Sequence, residues 1–413
     1  MPPDRQAQEE KRNIIGAGSP LSGDRVGKAG GGSRRLPVRT QSQFDAGGLL
    51  RGQEPGGPPP VRLPRDASLL VTGKCNLSCP HCTVSSHGGM EGMLAPGEWA
   101  RILDRLVEAR LLSVTVGGGE PFTRPDIASI LSEVASRPLR FSVNTNATLI
   151  GRREAALLAS FRPRLDSVTV SLDGPDAETH DRVRGSGAFD AALGGVECLL
   201  AEGIRPGFRC TVSTLNAGCL AEVVDLALEM GDWIILNPFL ESGPCLPAGL
   251  SLDPRAFRES CEAALELAER RKGRVTGTLV EMAADARAFG SGRNRGAGDR
   301  RKGHSCGGCA NIVTVLPDGG VAPCDHLVSL RLGSLPGSSL SAIMESDAAR
   351  AFRARVEAPL AENPECAECF FFDACSGGCP AIPWNLPGPL GPDPLSCLKR
   401  YFEASRPEES ARR

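Results

Sequence analysis

Between residues 66 and 240 the spacing of hydrophobic positions switches repeatedly between two periods. Short apolar runs of strand length, each bounded by turn residues, are SLLVTG (68–73), LSVTV (112–116), RFSVN (140–144), SVTVSL (167–172), GFRCTVS (207–213) and WIILNPF (233–239). Between them lie segments with apolar residues at helical spacing. In EWARILDRLVEARL (98–111), Ile102, Leu103, Leu106 and Val107 form one stripe. Strands alternating with helices predict a parallel sheet, because each right-handed crossover needs a helix to return the chain. Six such units are too few to close an eight-stranded barrel. The first expectation is therefore an α/β fold with a partial (β/α)6 barrel of the TIM type over 66–240. A doubly wound sheet is the second.

Outside this region the periodicity fades. Residues 1–65 hold runs such as AGGGSRR and GGPPP, and bury too little apolar surface to offset chain entropy. They predict a disordered arm, without the strand and helix pattern of a fused leader-peptide-binding domain. Residues 241–304 show one clear helix (254–272). FGSGRNRGAGDRRKGH (289–304) follows, expected to be a flexible linker or substrate-side loop. Residues 305–402 have few long periodic segments, so metal is expected to supply much of their core, and 403–413 form a tail.

Charge and composition narrow the class. A net charge of −2 over 413 residues suggests neither nucleic acid nor an anionic membrane as a general partner. No apolar run is long enough to span a bilayer, and the N-terminus lacks the apolar core of a secretory signal, so a cytoplasmic protein is expected. Sixteen cysteines are many for such a protein, and they cluster. In a reducing compartment this means metal more often than disulfides. Cys198, Cys210, Cys219, Cys245 and Cys261 lack metal spacing and read as small core hydrophobes.

The stretch KCNLSCPHC (74–82) places Cys75, Cys79 and Cys82 in the loop after the first strand, where parallel α/β folds carry their chemistry. A closed structural zinc site takes four ligands. Three cysteines on a four-iron cubane would leave one iron open to an exogenous ligand. C-x3-C-x2-C in this position resembles the signature of the radical S-adenosylmethionine (radical SAM) superfamily. The resemblance implies that the open iron of a 4Fe–4S cluster chelates S-adenosylmethionine, whose reductive cleavage yields a 5′-deoxyadenosyl radical. GGGEP (117–121) resembles the motif that contacts the methionine amine, implying roles for Gly118, Gly119 and Glu120. SVNTNATLI (142–150) follows strand three, where the family holds the ribose; Asn144 and Asn146 are the candidates, and Ala147 stands where many relatives have glycine. SLDGPDAETHDRVRG (171–185) resembles the strand-four segment of the branch that modifies peptides and proteins. By that likeness Ser171 and Arg184 contact the methionine carboxylate, whereas His180 and Arg182 are structural. His81 occupies the place of an aromatic near the adenine.

From Cys309 onward the C-terminal cysteine spacing resembles the SPASM extension, which implies two auxiliary 4Fe–4S clusters and three in all. The family's interleaved pattern assigns Cys306, Cys309, Cys324 and Cys379 to the first, and Cys366, Cys369, Cys375 and Cys397 to the second. Without Cys306 the first would keep an open iron. Paired zinc ribbons are the alternative reading of the CxxC pairs. Asp325, directly after Cys324, stands where sulfatase-maturing relatives are thought to carry a base. The function expected is oxidative modification of a ribosomally made peptide or protein side chain by cross-linking, thioether formation or epimerisation. Anaerobic sulfatase maturation (formylglycine formation) is the alternative, although Thr83-Val84 replaces the aromatic pair usual there. A non-enzymatic iron–sulfur carrier or sensor would leave GGGEP and SLDG unexplained, and a small-molecule dehydrogenase or haem-pathway enzyme stays open. Implied partners are the peptide or protein substrate, a separate leader-peptide-recognition protein, and a flavodoxin- or ferredoxin-type electron donor.

Overall fold

The computed structural model describes residues 62–82, 92–240, 249–290, 306–357, 364–371, 378–385, 393 and 397–404. Residues 1–61 of the arm, Thr83-Val84, Cys245, the greater part of the glycine–arginine loop and Cys375 lie outside them. The six predicted strands all form: β1 (Asp66–Thr72), β2 (Ser113–Gly118), β3 (Arg140–Thr145), β4 (Leu165–Ser171), β5 (Gly207–Val212) and β6 (Trp233–Pro238). The helices between them are α1 (Pro96–Glu108), α2 (Ile127–Ala135), α3 (Arg152–Ser160), α4 (Ala177–Arg184), α5 (Ala188–Ala201) and α6 (Leu220–Met230).

These strands pair in parallel and in sequential order. Sequential order has no reversal point, so every right-handed crossover falls on the same face of the sheet. That arrangement is a partial barrel and not a doubly wound sheet. The helix-facing residues are apolar: Val114, Val116, Phe141, Val143, Val168, Val170, Phe208 and Cys210 are almost fully buried. α1 meets them with Trp99, Ile102, Leu103 and Leu106, all buried. Each such side chain contributes about 1.5–3 kcal/mol by leaving water.

The sheet extends beyond the six predicted strands at both ends. After α7 (Pro254–Arg270) a two-residue strand, β7 (Val275–Thr276), adds to β6, and α8 (Thr278–Gly290) follows. Both lie in the stretch expected to contain one helix. Two strand residues are too few to show a period of two, so the pattern could not announce β7. On the far side, β8 (Ile312–Val315) pairs in parallel with β1. It forms an antiparallel hairpin with β9 (Gly320–Ala322), which pairs in turn with β10 (Gly333–Ser334). The cysteine-rich block therefore contributes strands to the barrel's own sheet. Among the described residues no helix is long and apolar enough to cross a membrane.

Candidate active site

The loops leaving β1, β2 and β3 are laced together at one end of the sheet. Gly119 N–H donates to the Thr72 carbonyl at 2.8 Å, and Glu120 N–H donates to that of Lys74 at 2.8 Å. The two glycines permit this approach. A Cβ on Gly118 would lie 2.3 Å from the Thr72 oxygen, and one on Gly119 would lie 2.2 Å from the Lys74 oxygen. Gly118 also has φ +135°, which side chains disfavour. Both glycines thus shape the cysteine loop directly.

Glu120 is fully buried. Its Oε1 accepts from Thr145 Oγ1 (2.9 Å) and Phe122 N (3.2 Å), and its Oε2 accepts from Asn146 N (2.7 Å). Burial pushes its pKa up to about 7 against these bonds. A carboxylate has about four acceptor positions, so three are engaged internally. Asn146 Nδ2 reaches Asn76 Oδ1 at 3.0 Å and Cys75 Sγ at 3.8 Å. Ala147, next in the chain, has φ +63°, which accounts physically for the glycine common there in the family. Asn144 and Ser171 are half-buried on the inner face, their side chains bonded to no described residue.

The three loop cysteines polarise one another, and Arg184 acts on both Cys75 and Cys79. Burial raises the Cys79 thiol to about 11. Behind them sits Asp173, fully buried, in the turn after β4. Its Oδ2 takes Arg184 Nε at 2.6 Å and its Oδ1 takes Thr211 N at 2.8 Å, while His81 Nε2 lies 3.8 Å from Oδ2. Burial opposes the charge on Asp173, yet Arg184 and His81 hold its carboxyl below the ordinary value. Its own N–H donates to His180 Nδ1 at 3.3 Å, and the His180 ring meets Phe189 edge-on. His180 is fully buried, its Nε2 without a partner among the described residues, and Arg182 is exposed. Burial lowers the His81 pKa to about 4, and its Nδ1 is buried without a partner among the described residues. The sequence reading passed over Asp173, although SLDG displayed it.

The inner face of the sheet carries hydroxyls in lateral register. Thr314 on β8 stands beside Ser68 on β1, followed by Thr115, Ser142 and Ser167 on β2, β3 and β4. Asp325 closes this row: its Oδ1 accepts from Thr314 Oγ1 at 2.5 Å and its Oδ2 from Ser68 Oγ at 3.2 Å.

In the C-terminal block, Cys324 is coupled electrostatically to Cys306 and Cys379, and Cys309 to Cys306. These are the four residues expected to form one ligand set. Burial raises the thiols of Cys309 and Cys379 to about 12. Cys366 and Cys369 share one turn, where Cys369 N–H donates to the Cys366 carbonyl at 3.0 Å, and Cys397 precedes the helix Leu398–Glu403. Among the described residues no three metal-binding side chains converge on a point suited to a single ion. A cubane is ligated at separate corners and needs no such convergence. Cys210 and Cys261 are buried in the core, with Cys198 and Cys219 packed against it.

Residues 69–227 match the family model of the radical SAM superfamily, and residues 306–370 match that of SPASM, an iron–sulfur cluster-binding domain. The chain is 28% identical over 345 residues to the mycofactocin maturase MftC of Mycobacterium ulcerans (strain Agy99), covering 81% of this chain and 89% of that protein. It is 27% identical over 365 residues to the PqqA peptide cyclase of Rhodopseudomonas palustris, covering 84% and 92%. Identity to the AdoMet-dependent heme synthase of Nitratidesulfovibrio vulgaris is 25% over 346 residues, covering 80% and 91%. The crystal structure of Streptococcus suis SuiB bound to its precursor peptide SuiA superposes with a TM-score of 0.67 at 17% identity, covering 81% of this chain and 76% of that one. That likeness is one of fold.

Proposed function

The chain belongs to the radical SAM superfamily and carries a SPASM domain, and on that premise we propose that this enzyme oxidatively modifies a side chain of a ribosomally made peptide or protein. The observation that carries the reading is similarity running through both domains and nearly the whole length of two peptide-modifying relatives. When bound, a 4Fe–4S cluster and S-adenosylmethionine would supply a 5′-deoxyadenosyl radical for hydrogen abstraction.

The residues present fit those groups. Cys75, Cys79 and Cys82 would hold the open cluster: burial keeps the Cys75 and Cys79 thiols protonated until a cationic centre draws off their protons. Asp173 grips Arg184 through Nε alone, leaving the outer fork of the guanidinium for the methionine carboxylate, with Ser171 on the adjoining strand end. Glu120 keeps an acceptor position for the amine, beside Gly118 and Gly119. His81 brings an unpartnered Nδ1 to the side where the adenine is expected. Cys306, Cys309, Cys324 and Cys379 would close one auxiliary cluster, and Cys366, Cys369, Cys375 and Cys397 the other. Asp325, which accepts from two hydroxyls, would take a proton from substrate. A flavodoxin- or ferredoxin-type donor and a separate leader-recognition protein complete the reading.

The test is anaerobic reconstitution with iron and sulfide, then incubation with S-adenosylmethionine, a reductant and the peptide from any short open reading frame beside the gene. About twelve irons per chain would fit three cubanes. Formation of 5′-deoxyadenosine and loss of hydrogens from the peptide are expected. About four irons, or turnover of an iron porphyrin and of no peptide, would overturn the reading; the latter would favour the haem-enzyme alternative suggested by the third relative.

A further inference from the structure

Arg209 lies on β5 between Phe208 and Cys210, which are fully buried against the helices, so its side chain is directed to the inner face. It is in register with Ser171 on β4 and Ile235 on β6. Arg209 is exposed to solvent on that inner face. No described residue accepts a hydrogen bond from it; Asp325 is the anion that favours its charge, and His326 also lies within electrostatic reach of both. Asp325 is fastened on the opposite side of the inner face, through Ser68 to β1 and through Thr314 to β8, with β2, β3 and β4 intervening. Cation and anion thus face each other without forming an ion pair. Arg184, at the same end of the sheet, is engaged by Asp173.

A planar guanidinium fork matches a carboxylate in geometry and charge. We propose that Arg209 receives a carboxylate of the substrate, either a peptide C-terminus or an Asp or Glu side chain, and so holds the neighbouring carbons opposite Asp325. This rests on the peptide-modifying reading and adds the chemical group by which the substrate is gripped. The hydroxyl row Ser68, Thr115, Ser142 and Ser167 gives the same inner face hydrogen-bonding groups suited to a polar chain.

The test uses the reconstituted full-length enzyme and three mixed-sequence synthetic peptide pools: free C-terminus without acidic side chains, amidated without acidic side chains, and amidated with one Asp or Glu. Retained peptides are identified by affinity-selection mass spectrometry for wild type, Arg209→Met and Arg209→Lys, and S-adenosylmethionine binding is measured in parallel. One carboxylate-bearing pool should be retained about 10- to 100-fold over the neutral pool, as expected for a charge-assisted bond. Which pool it is separates terminus from side chain. Arg209→Met should abolish the preference with S-adenosylmethionine binding unchanged, and Arg209→Lys should keep part of it. Equal retention of all pools by wild type overturns the proposal, as does an undiminished preference in Arg209→Met. Parallel loss of S-adenosylmethionine binding would move Arg209 to the cofactor site and also overturn it. If Arg209→Met fails to fold, Arg209→Lys decides: a point charge without the fork must weaken the preference. Failure of the peptide-modifying reading shows separately, as wild type that turns over no peptide.

Discussion

Replacing Asp173 by Asn changes one atom's chemistry at the centre of the site. The Asn carbonyl can still accept from Thr211 N–H, now at 2.8 Å from Oδ1. At the Oδ2 position an NH2 group would face Arg184 Nε, at present 2.6 Å away, setting donor against donor. Arg184 would keep its charge in a nearly enclosed position with its counter-ion removed. Breaking a buried pair in this way costs about 3–5 kcal/mol, more than the pair's net contribution, because the surviving charge is uncompensated. Anaerobic guanidinium denaturation of the reconstituted protein should show that loss in Asp173→Asn. S-adenosylmethionine binding should fall with it, since the fork is no longer aimed. Adding Arg184→Leu to Asp173→Asn should recover much of the stability without recovering binding, because both charges are then gone. The dependence on pH has a definite sign. The Asp173 carboxyl is held below its ordinary value, so its stabilisation is complete at neutral pH and is lost only as pH falls below about 4. An Asn variant within about 1 kcal/mol of wild type at neutral pH, or a double variant no more stable than the single, would refute the reasoning.

Two further outcomes follow from the loop geometry. Gly119→Ala places a Cβ 2.2 Å from the Lys74 carbonyl oxygen, a backbone atom that cannot step aside cheaply. The cysteine loop should shift, with iron content at the open site dropping while the C-terminal iron remains; unchanged iron stoichiometry would contradict this. Glu120 is raised from an ordinary 4.5 to about 7. At ~1.4 kcal/mol per pH unit, its burial costs the fold about 3 kcal/mol, a penalty that appears as pH rises from about 4.5 to about 7. The stability of wild type relative to Glu120→Gln should therefore decline across that window, read by denaturation at pH 5 and pH 8. A flat difference would count against it.

The six parallel strands were legible because each carries a clear apolar run and each crossover a helical stripe. β8 and β9 are shorter, four and three residues, yet LPDGG between them is a hairpin signal that the cysteines overshadowed. The pairing of β8 with β1, across more than two hundred residues of chain, has no local signature at all. The cysteine loops and GGGEP could be read because chemistry fixes their spacing. Arg209 and the hydroxyl row could not, since their meaning lies in lateral register, which sequence distance conceals. Glu120 illustrates the intermediate case: its presence in the motif was evident, but its bonds to Thr145 and Asn146 needed the fold.

β1 is bordered by β2 on one side and β8 on the other. Excising the chain from residue 306 onward would turn β1 into a free edge, with the amides and carbonyls of Asp66 to Leu69 open to any passing strand. The strand that delivers the first three cysteines would then be the most aggregation-prone element of the remaining protein. Barrel and cysteine block therefore share one sheet, and a hydrogen-bonded ladder joins β8 to the strand that leads to the first three thiols.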